Sequence, residues 1–269
     1  MRRVLLEHTD RVIASIVAET GKTYEDALLS EVAHVIRACG YWGRAGPGFL
    51  ADERLSRRGP SRRKLVLRHR PRGVVGVIGP SNFPLIGSFG EALAALMTGN
   101  AVVLKPSPLT PLTSLLVVEL LTDAGLEAEV VQVATGGQET AEALVDASDY
   151  VTFTGSTAAG RAVAERAGRS LTPVGLELGG KDALVVLADA DLERAATVAT
   201  YYGMPTAGQV CTSVERVYVE TSVYDAFVAR VTDKVRALRP SATPARPGSG
   251  KGRGRDLCTA AGCHRRAGG

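Results

Sequence analysis

The stretch "YVTFTGSTAAGR", residues 150–161, joins two periodicities. Its first half is a β-branched and aromatic run that reads as a strand. Its second half passes through Gly155, Ser156 and Thr157 into small helix-forming residues, so a helix starts near residue 157. Ser156 suits the N-cap of that helix. The free N–H groups and dipole at the helix start also make an anion site suited to pyrophosphate. This is not the full GxGxxG fingerprint, so a plain strand-to-helix turn and a phosphate-binding turn both remain open from these residues alone.

Outward from this unit the pattern repeats. Strands are expected at "VVGVIG", "AVVLK" and "EVVQVA", with helices at about 86–98, 110–123 and 138–146 between them. Strand and helix in alternation give an α/β fold with a Rossmann-like, doubly wound parallel sheet, which binds ligands at the carboxyl ends of its strands. Those ends hold "GPSNFP", "KPSPLTP" and "FTGSTAAG". Downstream come "VGLELGGKDALVV", a further helix, the segment "AGQVCTSVER" around Cys211, a strand at about 216–220 and a helix at about 222–238. Upstream, one helix over residues 3–19 stops at Gly21, and a capping box of Thr23 and Asp26 opens a second, giving a helical hairpin. Residues 51–72 are too polar for a core, although "KLVLRHR" fits an exposed strand.

The net charge of +4 is misleading about partners. Residues 240–269 carry six basic residues (Arg246, Lys251, Arg253, Arg255, Arg265, Arg266) and one acid, Asp256, so the other 239 residues sum to about −1. A nucleic-acid-binding body is not implied, and a basic arm binding nucleic acid is disfavoured because no aromatic interleaves its charges. Ten of those last 30 residues are Gly or Pro, so a disordered tail is expected. Its richness in Arg, Gly, Ala and Pro resembles GC-rich coding DNA translated in a shifted reading frame. Cys39, Cys211, Cys258 and Cys263 form no CxxC pair, which disfavours both a disulfide framework and a zinc site. No apolar run reaches spanning length, and the N-terminus makes a poor signal peptide, so no membrane partner and a cytoplasmic location are expected.

Four side chains stand out. Cys211 is a nucleophile if a base, an oxyanion donor and a pocket surround it, and otherwise a small hydrophobe. Lys105 ends a strand before a Pro-enforced turn and reaches the ligand crevice, or else snorkels. Glu177, between two leucines and before two glycines, is a general base if burial raises its pKa, while the alternation of "VGLEL" equally points it at solvent. Asn82 lies in a turn between two prolines, a rigid mount for an oxyanion-holding amide, though an Asn in a turn is commonplace.

The segments "GVVGVIGPSNFP", "GNAVVLKPSPLTP", "FTGSTAAGR", "LELGGK" and "AGQVCTSVERV", in this order across roughly residues 1–238, resemble the aldehyde dehydrogenases. The resemblance implies NAD- or NADP-dependent oxidation of a small aldehyde to a carboxylic acid. Residue by residue it makes Cys211 the nucleophile, Glu177 the general base and Asn82 the oxyanion donor. Lys105 then contacts the adenosine ribose and Ser156 the pyrophosphate, with Ser107 and Gly155 beside them in the cofactor-binding set. It implies a cofactor-binding domain with the helical hairpin over residues 1–177, a partial α/β catalytic domain over 178–239 and the tail beyond. The family forms homo-oligomers, which absent C-terminal segments would impair here, and no metal is implied. Where some members carry a Glu that binds the ribose 2′-hydroxyl, this chain has Pro108, so the choice between NAD and NADP stays open. The alternative is an inactive fragment that keeps only cofactor binding or subunit interaction.

Overall fold

The computed structural model describes residues 1–55, 64–241 and 256–258. The chain opens with α1 (Arg2–Glu7) and α2 (Thr9–Thr20). The single helix expected over residues 3–19 is thus interrupted at His8, next to Thr9, whose hydroxyl bonds back to the Leu5 carbonyl at 2.9 Å, a contact that bends helices. Gly21 ends α2 at φ 70°, and Thr23 caps α3 (Tyr24–Asp26) by accepting from the Asp26 N–H at 3.1 Å. A π-type stretch, Ala27–Val32, then leads into α4 (Ala33–Phe49). Gly46 of α4 lies so close to Met97 that a Cβ there would come within 2.7 Å of its Cε. The exposed strand expected in "KLVLRHR" is β2 (Leu65–Leu67), paired antiparallel with β1 (Glu53–Leu55).

The α/β sheet follows. Its strands and helices are β3 (Val74–Ile78), a π-type turn (Leu85–Gly90) continuing as α5 (Glu91–Met97), β4 (Ala101–Lys105), α6 (Leu112–Asp123), β5 (Val131–Val133), α7 (Gln138–Asp146), β6 (Tyr150–Gly155), α8 (Thr157–Arg169) and β7 (Val174–Leu178). The strand order is β5-β4-β3-β6-β7, the doubly wound arrangement in which the chain builds outward from β3 on one side and then on the other. The central β3 pairs in parallel with both neighbours, Ile78 standing beside Lys105 and beside Phe153. Apolar side chains of β3 (Val75, Val77, Ile78), β4 (Val102, Leu104) and β6 (Val151, Phe153) are buried, as are Leu93 of α5, Leu121 of α6 and Val145 of α7. A strand covered on both faces needs this near-continuous apolar run, which is why the run is so legible in the sequence.

Two compact units result: Met1–Val12 with Glu31–Glu177, and Ile13–Ser30 with Leu178–Gly269. In the second, β8 (Asp182–Val186) and β9 (Val214–Val219) pair in parallel around α9 (Leu192–Gly203), and α10 (Tyr224–Arg236) follows. Their core gathers Val186, Ala196, Ala199 and Phe227. Asp191 caps α9 by accepting from the N–H groups of Glu193 and Arg194 at 3.0 and 3.1 Å. Farther along, β10 (Arg239–Ser241) and β11 (Asp256–Cys258) are parallel partners. The tail's basic residues lie outside the described residues, as do residues 56–63. Among the described residues no helix is long and apolar enough to cross a membrane.

Between α9 and Cys211 the backbone enters the left-handed region three times running, at Thr206 (φ 52°), Ala207 (φ 56°) and Gly208 (φ 79°). Each non-Gly residue there costs roughly 1–2 kcal/mol. Thr206 is buried while Ala207 is exposed, so Ala207 can lose its methyl without opening a cavity. Ala207→Gly is therefore expected to stabilise the protein by about 1 kcal/mol, read as a higher urea midpoint; an unchanged or lower midpoint contradicts the strain.

Candidate functional site

Parallel register puts the carboxyl ends of β3, β4 and β6 at one edge of the sheet, with the reversal of strand order falling between β3 and β6. Three connections leave from there. The first, Gly79–Pro84, is anchored at its start by the Gly79 N–H, which donates to the Lys105 carbonyl at 3.0 Å. Gly79 has to be glycine, because a Cβ would sit 1.9 Å from Ser88 Oγ. Asn82, half-buried, lies in the bend between Pro80 and Pro84.

Lys105 closes β4. Its side chain is 4% exposed, with Nζ donating to the Pro106 carbonyl at 3.2 Å. A side chain this buried does not carry its ammonium out to solvent, which disfavours the snorkelling alternative. Desolvation pushes its pKa below the ordinary lysine value, so an anion brought beside it would be met by a poorly solvated cation. Ser107 starts a turn: its carbonyl accepts from the Thr110 N–H at 3.1 Å and its Oγ from the Leu109 N–H at 3.3 Å. Pro108 beside it is exposed.

β6 ends at Gly155, where a Cβ would meet Phe153 Cζ at 2.7 Å. Ser156 does what an N-cap does, its Oγ accepting from the Ala159 N–H at 3.3 Å. Ser156, Thr157 and Ala158 are all exposed, so the opening turn of α8 faces solvent. Lys105, the Asn82 turn and the Gly155–Ser156 turn thus share one sheet edge within the first unit.

Glu177 lies on β7 and is exposed. The reason is its place: β7 is the outer strand, and the alternation of "VGLEL" points this side chain outward. Glu177 does act on another carboxyl that sequence reasoning passed over. Glu91, at the start of α5, has its pKa raised first by burial and then by the Glu177 charge.

In the second unit Cys211 is an exposed free thiol, in a turn closed by the Ser213 N–H on the Val210 carbonyl at 3.0 Å. Ser213 fixes this turn to α9 through Oγ, which donates to the Tyr202 carbonyl at 3.0 Å. The glycine pair of "LELGGK" runs past it, a Cβ on Gly180 standing 3.9 Å from the Cys211 carbonyl oxygen. An exposed thiol on a braced turn can meet an electrophile. A buried packing cysteine cannot, and burial of that kind raises the pKa of Cys39.

The fold has close counterparts among solved structures. The aldehyde dehydrogenase KauB of Pseudomonas aeruginosa superposes with a TM-score of 0.84 at 33% identity, over 89% of this chain and 49% of that one. Lactaldehyde dehydrogenase of Escherichia coli gives 0.83 at 32%, over 89% and 50%. In sequence, a Mycolicibacterium smegmatis protein provisionally named succinate-semialdehyde dehydrogenase (NADP+) is 40% identical over 243 residues, 90% of this chain and 47% of its own length. The 4,4'-diapolycopene aldehyde oxidase of Methylomonas sp is 40% identical over 248 residues, 91% and 47%. The chain spans about half the length of these relatives. The family model described as "Aldehyde dehydrogenase family" matches residues 1–249, and the chain belongs to the aldehyde dehydrogenase family.

Proposed function

We propose that the protein oxidises an aldehyde to a carboxylic acid, with hydride transfer to NAD or NADP, through a thiohemiacetal and then a thioester on Cys211. The observation that carries this reading is the meeting of the Asn82 turn, Lys105 and the Gly155–Ser156 turn at the sheet edge where strand order reverses, the place where such sheets take ligands. In this reading residues 1–177 are the cofactor-binding domain and 178–239 belong to the catalytic domain.

The first unit suits a dinucleotide. Gly155 keeps the strand end free of a side chain, α8 offers an exposed N-terminal turn, and Lys105 supplies a desolvated cation. Gly155 and Ser156 are assigned to the pyrophosphate, Lys105 and Ser107 to the adenosine ribose. Pro108 puts no carboxylate where a 2′-phosphate would be repelled, and one relative's name specifies NADP, so NADP is accepted in this reading.

A bound nicotinamide supplies the hydride acceptor. The chain's own residues do the rest. The Cys211 thiolate adds to the aldehyde carbon, and the oxyanion so formed is held by the Asn82 amide and the Cys211 backbone N–H. Loss of hydride from this adduct leaves a thioester. Glu177 takes a proton from the water that attacks it, the C–S bond breaks, and the acid leaves with the thiolate restored.

Aldehyde-dependent cofactor reduction by the purified chain, with NAD and NADP compared over an aldehyde panel, tests the reading; binding of cofactor without any such reduction overturns it in favour of a cofactor-binding role. Cys211→Ala is expected to abolish reduction while NADP affinity stays within about twofold, the thiol being needed for covalent chemistry alone. Glu177→Gln is expected to keep the first burst of reduced cofactor and lower the steady-state rate, and loss of both together would place Glu177 elsewhere. Lys105→Ala should weaken NADP binding by about tenfold or more in calorimetry, the scale of one charge-assisted hydrogen bond. An unchanged affinity removes Lys105 from the cofactor site.

A further inference from the structure

Glu31 is fully buried at 0% exposure, although nothing in the chemistry above uses it. It sits four residues after Ala27 and four before Val35, both also fully buried, on the stripe of the helix that packs inward. A carboxylate in such a place is costly unless hydrogen-bonded. Its Oε2 accepts from the backbone N–H groups of Leu85, at 2.8 Å, and Ile86, at 3.3 Å. Leu85 begins the π-type turn that leads into α5, and the opening N–H groups of a helix have no partner within it. Glu31 therefore satisfies two orphan donors and places a negative charge at the positive end of a helix.

Those donors lie three and four residues after Asn82. The segment between is stiff in itself: a Cβ on Gly87 would stand 2.5 Å from the Pro80 ring, and the Gly87 N–H donates to the Phe83 carbonyl at 2.9 Å. These contacts fix the turn to its own helix. At its start the Gly79 N–H ties it to β4. Glu31 adds a hold from 54 residues upstream, at the far side of Asn82. A rigid piece held at both ends has a determined position; released at one, it can pivot.

We propose that Glu31 is a positioning residue, whose buried carboxylate holds the start of the Leu85 helix and through it sets where the Asn82 amide stands. Its importance for catalysis rests on the oxyanion role assigned to Asn82, but the positioning itself is testable without turnover. The sequence contains two asparagines, Asn82 and Asn100, so selective ¹⁵N-asparagine labelling gives two side-chain amide pairs in the spectrum. Asn100 is an internal reference, because its amide donates to the Ala95 carbonyl at 3.0 Å and to Thr98 Oγ1 at 2.7 Å, away from Glu31's partners. Asn82→Ala identifies which pair is which.

In Glu31→Gln, which keeps size and removes charge, the Asn82 pair is expected to shift or broaden while the Asn100 pair stays in place. An unmoved Asn82 pair overturns the proposal, and so does equal movement of both pairs, which reports general loosening. Glu31→Asp, which keeps the charge and shortens the reach, gives the same reading should the glutamine variant not fold. The unmodified chain supplies a further check: the Leu85 and Ile86 amides should exchange with solvent at least about a hundredfold more slowly than the exposed Leu109 amide, and equal rates overturn the proposal. A failure of the oxyanion role would appear instead as unchanged turnover in Asn82→Ala, with the Glu31 result intact.

Discussion

The site edge of the sheet depends on one side chain at the opposite end. Asn100 Oδ1 accepts from the N–H groups of Arg72 and Gly73 at 2.7 and 3.1 Å, just before β3, while its amide grips Ala95 and Thr98 just before β4. The two strands are held in step where they enter the sheet, so five residues later Ile78 meets Lys105 and the Gly79 N–H meets the Lys105 carbonyl. In a parallel pair an error of register at one end is an error at the other. Asp149 repeats the device on the other flank, its carboxylate accepting from the Val74 N–H at 2.8 Å before β6. Entry-side hydrogen bonds thereby govern which residues share the exit side, where Asn82, Lys105 and Ser156 are found.

The parallel core was legible in the sequence because burial on both faces forces apolar runs, and because Gly, Pro and Ser mark the ends of such strands. The runs at "VVGVI" and "AVVLK" coincide with β3 and β4, and the capping of Thr23 and Ser156 has the form their positions suggest. What escaped reading depends on partners distant in sequence or on local rules being broken. Glu31 looks like any glutamate until Leu85 and Ile86 are found against it; its signal was position, a carboxylate on the buried stripe through Ala27 and Val35. The exposure of Glu177, by contrast, was one of the two readings its alternation in "VGLEL" allowed, and its place on the outer strand β7 agrees with it. Thr206 in a left-handed conformation contradicts the preference of a β-branched residue, so no propensity scale would place it there.

Chemistry and stability pull on the same residues. Lys105, Glu31 and Thr206 are each a local liability: a desolvated cation, a buried anion and a strained backbone. Each lies at or beside a segment assigned a catalytic or binding task. The remaining sheet and the core around Phe227 are conventional apolar packing, which is what allows a few unfavourable placements to persist.

The doubly wound strand order also bears on assembly of the chain in time. The Asn100 contact that brings β4 to β3 spans 27 residues from Gly73, whereas the Asp149 contact that brings β6 to β3 spans 75. Loop-closure entropy grows only logarithmically with length, so the longer closure costs about 0.9 kcal/mol more. The reversal of strand order is therefore nearly free in equilibrium terms. Its burden falls on rate, since pairing between sequence-distant strands is what slows folding. The half of the sheet built from β3, β4 and β5 closes over short loops, and the Gly155–Ser156 turn reaches its neighbours through the long one.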